Sequence, residues 1–227
     1  MNWIDQGYLI AKYNYNENSL IAEFFTKEHG KCSGIIFGGN SKKIKNYLQI
    51  GNKFHINYNF KNEGKTGHFK VEILEVSTPL FFDNKNKLMC ISSAMSLLKL
   101  LTVEAQVNGK IFEAIEIFFK NLHNQQWLKH YIFWELNLFK FLGYDLNLEN
   151  IVSFEFKNNK KEYFVKSNSV SKNVPNFLID KNNNEDVEPD TLILGLKLVT
   201  DYLNKSILMP NNVTQPYSRI NFINILK

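Results

Sequence analysis

The chain has 227 residues, of which 44% are hydrophobic and 14% aromatic, and it carries a formal charge of +5 with a pI near 9.0. Its two cysteines, Cys32 and Cys90, are too few for a disulfide framework or a four-thiolate zinc site. No apolar run approaches the roughly 18–20 residues that span a bilayer, and MNWIDQGYLI lacks the basic segment of a secretory signal, so we expect a soluble, cytoplasmic protein with no membrane partner. All but one of the 27 basic residues are lysine, a usage typical of AT-rich coding, so lysine richness alone indicates little.

The first eighty residues predict short strands. Apolar-rich runs separated by Asn- or Gly-bearing turns occupy Gly7–Tyr13, Ser19–Thr26 and Ser33–Gly38. In KFHINYNFK, apolar and polar residues alternate with period two, and after the turn NEGKTG the run HFKVEILEV does the same. Five strands are too few for two packed sheets, whereas a closed barrel removes the unpaired edges. The pattern therefore predicts a five-stranded OB-fold barrel in residues 1–79.

From Leu88 the period changes to that of helices. MCISSAMSLLKLLTVEA is apolar almost all round, which predicts a helix inside a bundle, and IFEAIEIFFKNL and WLKHYIFWELNLFKFLG follow, the last closed by Gly143. VSFEFKNNKKEYFVKS predicts a hairpin turned at Asn158–Lys160. The polar loop KNNNEDVEPD precedes a helix beginning near Pro189, and YSRINFINIL predicts a short last one. We therefore predict an α+β chain: an N-terminal OB-fold barrel (residues 1–79) and a C-terminal helical domain (80–227) with a small β-hairpin insertion at about 151–166.

Patterns that carry catalytic chemistry are missing from the sequence. FFTKEHGKCSGIIFGGNSKK has glycines and lysines but not the Gly-Lys-Ser/Thr of a phosphate-binding loop, and no G-x-S-x-G or H-E-x-x-H occurs. His123 and His130 have no carboxylate at helical spacing, and the helical glutamates lack the Glu-x-x-His pairs of di-metal sites. We therefore predict a binding protein, not an enzyme, with no metal and no cofactor.

The charge distribution indicates a polyanionic partner. No acidic residue occurs between Glu28 and Glu63, whereas six lysines do: Lys31, Lys42, Lys43, Lys45, Lys53 and Lys61. A phosphate backbone suits such a stripe, because each neutralised phosphate releases condensed counterions. Aromatic residues lie among or near these lysines and could stack on bases if exposed: Tyr13, Tyr15, Tyr47, Phe54 and Tyr58. The phase of Phe54 and Tyr58 favours the barrel core for both, and we expect the lysines to form one continuous track.

The order of these motifs resembles a known family. WIDQGYLIAKYNYNENSLIAEFFTKEHGK, followed by GGNSKK and LQIGN, resembles the N-terminal domain of the bacterial recombination mediator family RecO. In the turn Tyr15-Asn16-Glu17 an asparagine replaces the usual glycine, and asparagine also tolerates positive φ. FWELNLFKFLGYDLNLENI, KEYFVKSNSVSKNV and GLKLVTDYLNKSIL resemble later segments of the family, so the resemblance covers nearly the whole chain.

The resemblance implies an OB-fold joined to a helical domain and a role in DNA repair and recombination. It implies binding of single- and double-stranded DNA, strand annealing, contacts with RecR and with the acidic C-terminal tail of single-strand-binding protein, and help in loading RecA, with nucleoid association during repair. Some members carry a four-cysteine zinc site, but residues 151–174 here contain no Cys or His. Packing of the hairpin residues is expected to replace the metal: Val152, Phe154, Phe156, Tyr163 and Val165.

Two sets of candidate residues follow. The predicted DNA-binding residues are Lys12, Lys27, Lys31, Lys42, Lys43, Lys45, Tyr13, Tyr15 and Tyr47. The predicted rim of a groove for the acidic, apolar tail comprises Lys129, Lys140, Lys197 and Arg219. A protein-only adaptor with an OB-fold and little direct DNA binding is the alternative, in which the basic strip reflects composition alone. Nucleotide turnover or bound metal in the purified protein would instead indicate an enzyme.

Overall fold

A computed structural model describes residues 2–60, 66–157, 160–167, 170–180 and 186–226. Five strands near the N-terminus form a closed barrel, which confirms the predicted architecture. They are β1 (Trp3–Asn14), β2 (Ser19–Thr26), β3 (Gly30–Phe37), β4 (Lys53–Asn59) and β5 (His68–Glu75). Their order around the barrel is β1-β2-β3-β5-β4, and every pairing is antiparallel except that of β3 with β5, which meet at Ile35 and His68.

The barrel core follows the alternation read from the sequence. On β4, Phe54 and Ile56 are fully buried while His55 between them is exposed. The Phe24 ring packs edge-on against Phe54 and Phe69, with centroids 5.7 and 5.2 Å away. The whole buried cluster comprises Leu9, Leu20, Ala22, Phe24, Ile36, Leu48, Phe54, Ile56 and Phe69. Period two therefore assigns the inward face of the strands, because successive side chains point to opposite sides of a sheet.

A glycine pair turns the chain out of β3. Gly38 has a φ of +70°, which glycine adopts without the Cβ penalty of other residues. At Gly39 a Cβ would lie 2.7 Å from Leu20 Cδ2, so the backbone approaches the core too closely for a side chain. The lysine-rich stretch that follows forms a short helix, α1 (Lys42–Tyr47), which the sequence analysis did not predict as a helix.

The remaining helices lie where the sequence predicts them, with small shifts at their ends. Asn84 caps the first of them by accepting a 3.1 Å hydrogen bond from the Lys87 amide, and Gly143 follows the third with a φ of +91°. Pro189 occupies the first turn of the fourth, as expected. The helices are α2 (Lys85–Leu101), α3 (Gly109–Asn121), α4 (Trp127–Phe141), α5 (Pro189–Tyr202), continued by a π-helical segment (Leu203–Leu208), and α6 (Tyr217–Ile225). Within the described ranges, none of these helices has the length and apolarity to cross a membrane.

The chain divides into two compact units. The first comprises the chain through Glu116 together with Pro216–Leu226, so α2 and α6 belong to the same unit as the barrel. Within it α2 packs on β1 and on α6 rather than inside a helical bundle, which corrects the expectation for this helix. The second unit comprises Ile117–Gln215. The domain boundary after residue 79 stays a prediction.

A small antiparallel sheet lies in the second unit. It contains β6 (Ser153–Lys157), β7 (Lys160–Ser167) and β8 (Val170–Val174), so the predicted hairpin is extended by a third strand. Tyr163 and Val174 are buried, but Phe154 and Phe156 are 53% and 66% exposed. The Phe154 ring nevertheless packs edge-on against Phe156 and against its cross-strand partner Tyr163, with centroids 5.9 and 6.2 Å away, so part of the expected hairpin packing is present although both phenylalanines stay largely exposed. Residues 158 and 159 of the predicted turn lie outside the described residues, as do Lys61 and much of the polar loop before α5.

Candidate nucleic-acid interface

Three of the predicted lysines are exposed on α1: Lys42, Lys43 and Lys45. The helix is anchored by apolar residues, since Ile44 packs against the barrel core and Leu48, directly after the helix, is fully buried within it. No acidic residue occurs in positions 29–62 of the sequence, so these ammonium groups have no carboxylate nearby in the chain. A short helix that carries three exposed cations is suited to contact phosphates.

A cavity of about 200 Å³ brings together three predicted residues, Lys12, Tyr13 and Lys45. Lys12 Nζ donates a 2.6 Å hydrogen bond to the carbonyl oxygen of Leu48, which fixes the amine at the cavity. Burial lowers the pKa of Lys12, and the charge of Lys45 lowers it further. The remaining lining residues are Asn14, Leu20, Gly39 and Asn40, and this lining contains no acidic side chain. The cavity is therefore suited to an anion.

The turn between β1 and β2 is fixed beside this cavity. Asn16 Oδ1 accepts hydrogen bonds from the backbone amides of Asn18 and Ser19, at 3.0 and 2.8 Å. From the other side, Asn40 Nδ2 donates to the carbonyls of Asn16 and Glu17, at 3.1 and 3.3 Å. Tyr15 in the same turn is 56% exposed. The hydrogen bonds of Asn40 therefore join the turn that carries Tyr15 to the connection that leads into α1.

The outward surface of β1, β2 and β3 is covered by the end of α2 and the residues that follow it. Lys31 Nζ donates to the carbonyls of Lys99, at 2.9 Å, and of Thr102. Glu104 Oε1 accepts a 3.1 Å hydrogen bond from the Ser33 amide. Lys99 Nζ donates to the Tyr13 hydroxyl and lies 3.6 Å from Glu23 Oε1. In OB-folds the strand 2–3 surface and the flanking loops commonly bind oligonucleotides. In this barrel that strand surface is covered, whereas Tyr15 in the β1–β2 loop is exposed.

Not all the predicted DNA-binding residues lie together. Lys27 and Lys31 lie where β2 ends and β3 begins, near the Thr26–Gly30 pair, whereas α1 follows the other end of β3. The Lys31 amine is half-buried, and its pKa is lowered by burial. Lys53 Nζ lies 2.6 Å from Glu116 Oε1, and Tyr47 packs partly buried against the barrel core. The lysines between Glu28 and Glu63 therefore do not share one environment: those of α1 are exposed, whereas Lys31 and Lys53 contact protein acceptors.

The four residues predicted to rim a tail-binding groove are dispersed. Lys129, 9% exposed, lines a cavity of about 340 Å³ together with four acidic residues: Glu162, Asp180, Asp186 and Glu188. Lys140 lines another cavity, of about 270 Å³, beside Phe133 and Leu178. Lys197 is exposed on α5 and lines neither, and Arg219 is fully buried on α6 in the first unit.

The structure adds two aromatic residues to the loop end of the barrel that the sequence analysis did not select. Phe37 is the last residue of β3 and is 62% exposed, and its ring centroid lies 5.6 Å from that of His68 at the start of β5. The sequence could have indicated that Phe37 is exposed, because successive side chains of a strand point to opposite faces and Ile36 belongs to the core. No sequence pattern places His68 beside it, since the contact depends on barrel closure.

Comparison with known proteins identifies the family. The family "Recombination protein O N terminal" matches residues 1–76, and "Recombination protein O C terminal" matches residues 84–188. The DNA repair protein RecO of Wolbachia sp. subsp. Drosophila simulans (strain wRi) is 30% identical over 96% of this chain and 98% of its own length, and that of the Wolbachia strain from Culex pipiens is 31% identical over 96% and 97%. The RecO protein of Rickettsia rickettsii (strain Iowa) is 35% identical over 65% of this chain and 62% of its own. The chain therefore belongs to the RecO family of DNA repair proteins.

Proposed function

We propose that this protein is a recombination mediator that binds single- and double-stranded DNA through α1 and the neighbouring cavity, and that it anneals complementary strands. It acts by binding rather than by catalysis, in the cytoplasm, and it associates with the nucleoid during repair. Contacts with RecR and single-strand-binding protein allow it to promote RecA loading. The exposed lysines of α1, next to the cavity shared by Lys12 and Lys45, are the observation that carries this proposal.

Electrostatics favour α1 over the other lysines as the main DNA contact. Lys31 and Lys53 already make hydrogen bonds to protein acceptors, so a phosphate would have to displace those acceptors. Lys42, Lys43 and Lys45 are exposed and lie on one short helix. Because such contacts reach phosphate and not base edges, binding should be nearly independent of sequence and sensitive to salt.

Charge reversal on α1 tests this proposal. In Lys42→Glu/Lys43→Glu/Lys45→Glu we expect affinity for oligo-dT to fall at least tenfold and the slope of log K against log salt to decrease in magnitude by about 2, since each single-strand phosphate contact contributes roughly 0.7. Fluorescence anisotropy across a salt series measures both quantities. The matched control is Lys110→Glu/Lys120→Glu/Lys205→Glu, which makes the same change in net charge at exposed positions outside α1. An α1 variant with wild-type affinity and slope, or a control that loses as much, would exclude α1 as the site.

Binding of the single-strand-binding protein tail is best supported at the Lys140 cavity. Lys140 in its lining can pair with an acidic group of the tail. Five lining residues offer apolar contacts: Phe133, Leu136, Leu146, Leu148 and Leu178. Asp145 Oδ2 lies 3.5 Å from Lys140 Nζ and Glu149 also lines the cavity, so the tail carboxylate has to compete with two acidic side chains. The Lys129 cavity is less suited to an acidic tail, because four acidic residues line it.

Tail binding is tested by titrating a labelled acidic, apolar C-terminal peptide of single-strand-binding protein. We expect Lys140→Glu to weaken binding about tenfold, the value of one charge-assisted hydrogen bond, and Lys197→Glu to have no effect. Equal affinities for both variants would place the tail elsewhere. If the wild-type protein captured single-strand-binding protein but bound no DNA, the protein-only adaptor would replace the mediator proposal.

A further inference from the structure

The end of β3 exposes an aromatic ring. Ile36 fills the core with 2% exposure, so its neighbour Phe37 points outward and remains 62% exposed. Single exposed apolar residues are common on soluble proteins and need no explanation. At Phe37 the ring of His68 stands beside the exposed ring, with centroids 5.6 Å apart and ring planes inclined by 51°. The two side chains leave the outer part of the Phe37 ring accessible.

The strand pairings place this aromatic pair beside the turn that carries Tyr15. Phe37 pairs directly with Ser19, whose carbonyl accepts hydrogen bonds from the Tyr15 and Asn16 amides. His68 pairs with Ile35 of β3 and with Asn59 of β4. The β1–β2 turn, the end of β3 and the start of β5 therefore meet at one end of the barrel.

The same end of the barrel is joined to the cations of α1 by a short, ordered connection. Only residues 38–41 separate Phe37 from Lys42. Gly39 rests against Leu20, and the Ser41 amide donates a 2.9 Å hydrogen bond to the Gly38 carbonyl, so the connection is held in place. An exposed aromatic ring a few residues from exposed lysines is a combination by which proteins hold single strands, with bases stacked and phosphates neutralised.

We propose that Phe37, flanked by His68, is a stacking site for one base of a single-stranded DNA whose phosphates lie along α1. This inference rests on the proposed function and extends it, because it assigns a contact that distinguishes single strands from duplex. The bases of a duplex are paired and stacked on one another, so they cannot cover the Phe37 ring without unpairing. Phosphate contacts to α1 are available to both forms of DNA.

Replacement of Phe37 tests the site directly. In Phe37→Ala we expect affinity for an oligo-dT of about 20 nucleotides to fall roughly tenfold, within the range for loss of one stacked base, with the salt slope unchanged. Affinity for a duplex of the same length should not change, and Phe37→Trp should retain single-strand affinity. The matched control is Phe82→Ala, which removes another exposed phenylalanine from the same unit.

A second measurement reports stacking itself. Because the chain already contains three tryptophans, the measured quantity is the fluorescence quenching by oligo-dT in excess of that in the wild-type protein. Phe37→Trp should show this excess quenching, whereas Phe82→Trp should not. Unchanged single-strand affinity in Phe37→Ala, an equal loss for single strand and duplex, or the absence of quenching would each overturn the stacking site. If Phe37→Ala binds like wild type while the α1 charge-reversal variant fails, only this inference is lost. If wild-type protein binds no oligo-dT, both proposals fail.

Discussion

Phe222→Ala is expected to lower the free energy of unfolding of the barrel-containing unit by about 3–5 kcal/mol, the usual cost of removing a fully buried phenylalanine. Phe222 is 0% exposed on α6, which packs against α2 although more than a hundred residues separate the two helices in the chain. Ser218 and Ser96 join the same pair of helices by a 2.7 Å hydrogen bond between their hydroxyls. The last helix of the chain thus stabilises its first compact unit.

Urea unfolding followed by circular dichroism measures this loss, and Tyr217→Ala supplies the control. Tyr217 lies on the same helix but is 76% exposed, so its replacement should change stability by less than about 0.5 kcal/mol. If the two variants were equally stable, α6 would not be docked on α2 in solution. Loss of oligo-dT binding by Phe222→Ala at temperatures where it remains folded would also contradict the view that its role is structural.

Lys31→Glu is expected to lower the free energy of unfolding by about 3 kcal/mol, since it removes charge-assisted hydrogen bonds worth roughly 1.5–3 kcal/mol each. The Lys31 amine satisfies the carbonyls of Lys99 and Thr102 at the C-terminal end of α2. A carboxylate there would face those carbonyls, with Glu23 and Glu104 nearby. Lysine stabilises a helix C-terminus for the same reason, because the last carbonyls lack partners within the helix.

Lys31→Met separates this structural role from the DNA contact predicted from the sequence. We expect it to reduce stability by less than Lys31→Glu and to leave the salt slope of oligo-dT binding unchanged. Lys27→Glu is the stability control, because Lys27 is exposed and its nearest acidic partner is the adjacent Glu28, at 3.8 Å. If Lys31→Met lowered the salt slope of oligo-dT binding but kept wild-type stability, Lys31 would be a DNA contact and not a structural residue.

Much of the fold was accessible to sequence analysis because local patterns encode it. Alternation in KFHINYNFK assigned Phe54 and Ile56 to the core, and Gly143 and Pro189 marked helix ends through their own backbone preferences. β8 was missed because VSKNV lacks an alternating apolar face, and it forms only as the third strand beside β7. The helix α1 was missed because six residues with a single inward anchor carry too little periodicity.

The candidate site was less accessible, because a lysine looks the same in a sequence whether its amine meets solvent, a carbonyl or a carboxylate. The absence of acidic residues between Glu28 and Glu63 selected Lys42, Lys43 and Lys45, and these three lysines are exposed. The same pattern could not distinguish them from Lys31, which donates to carbonyls 68 and 71 residues away in the chain, or from Lys53, which donates to Glu116. Arg219 was likewise assigned to a surface, whereas docking of α6 buries it completely.

The sequence by itself determined the family, the barrel, the order of the helices and the concentration of positive charge before β4. These features depend on the period of apolar residues and on motif order, which are local properties of the chain. Only the tertiary structure decided which amines remain available, which strand surface α2 covers, and that Phe37 and His68 stand together. Those outcomes depend on contacts between residues far apart in the chain, and such contacts leave no periodic signal in a single sequence.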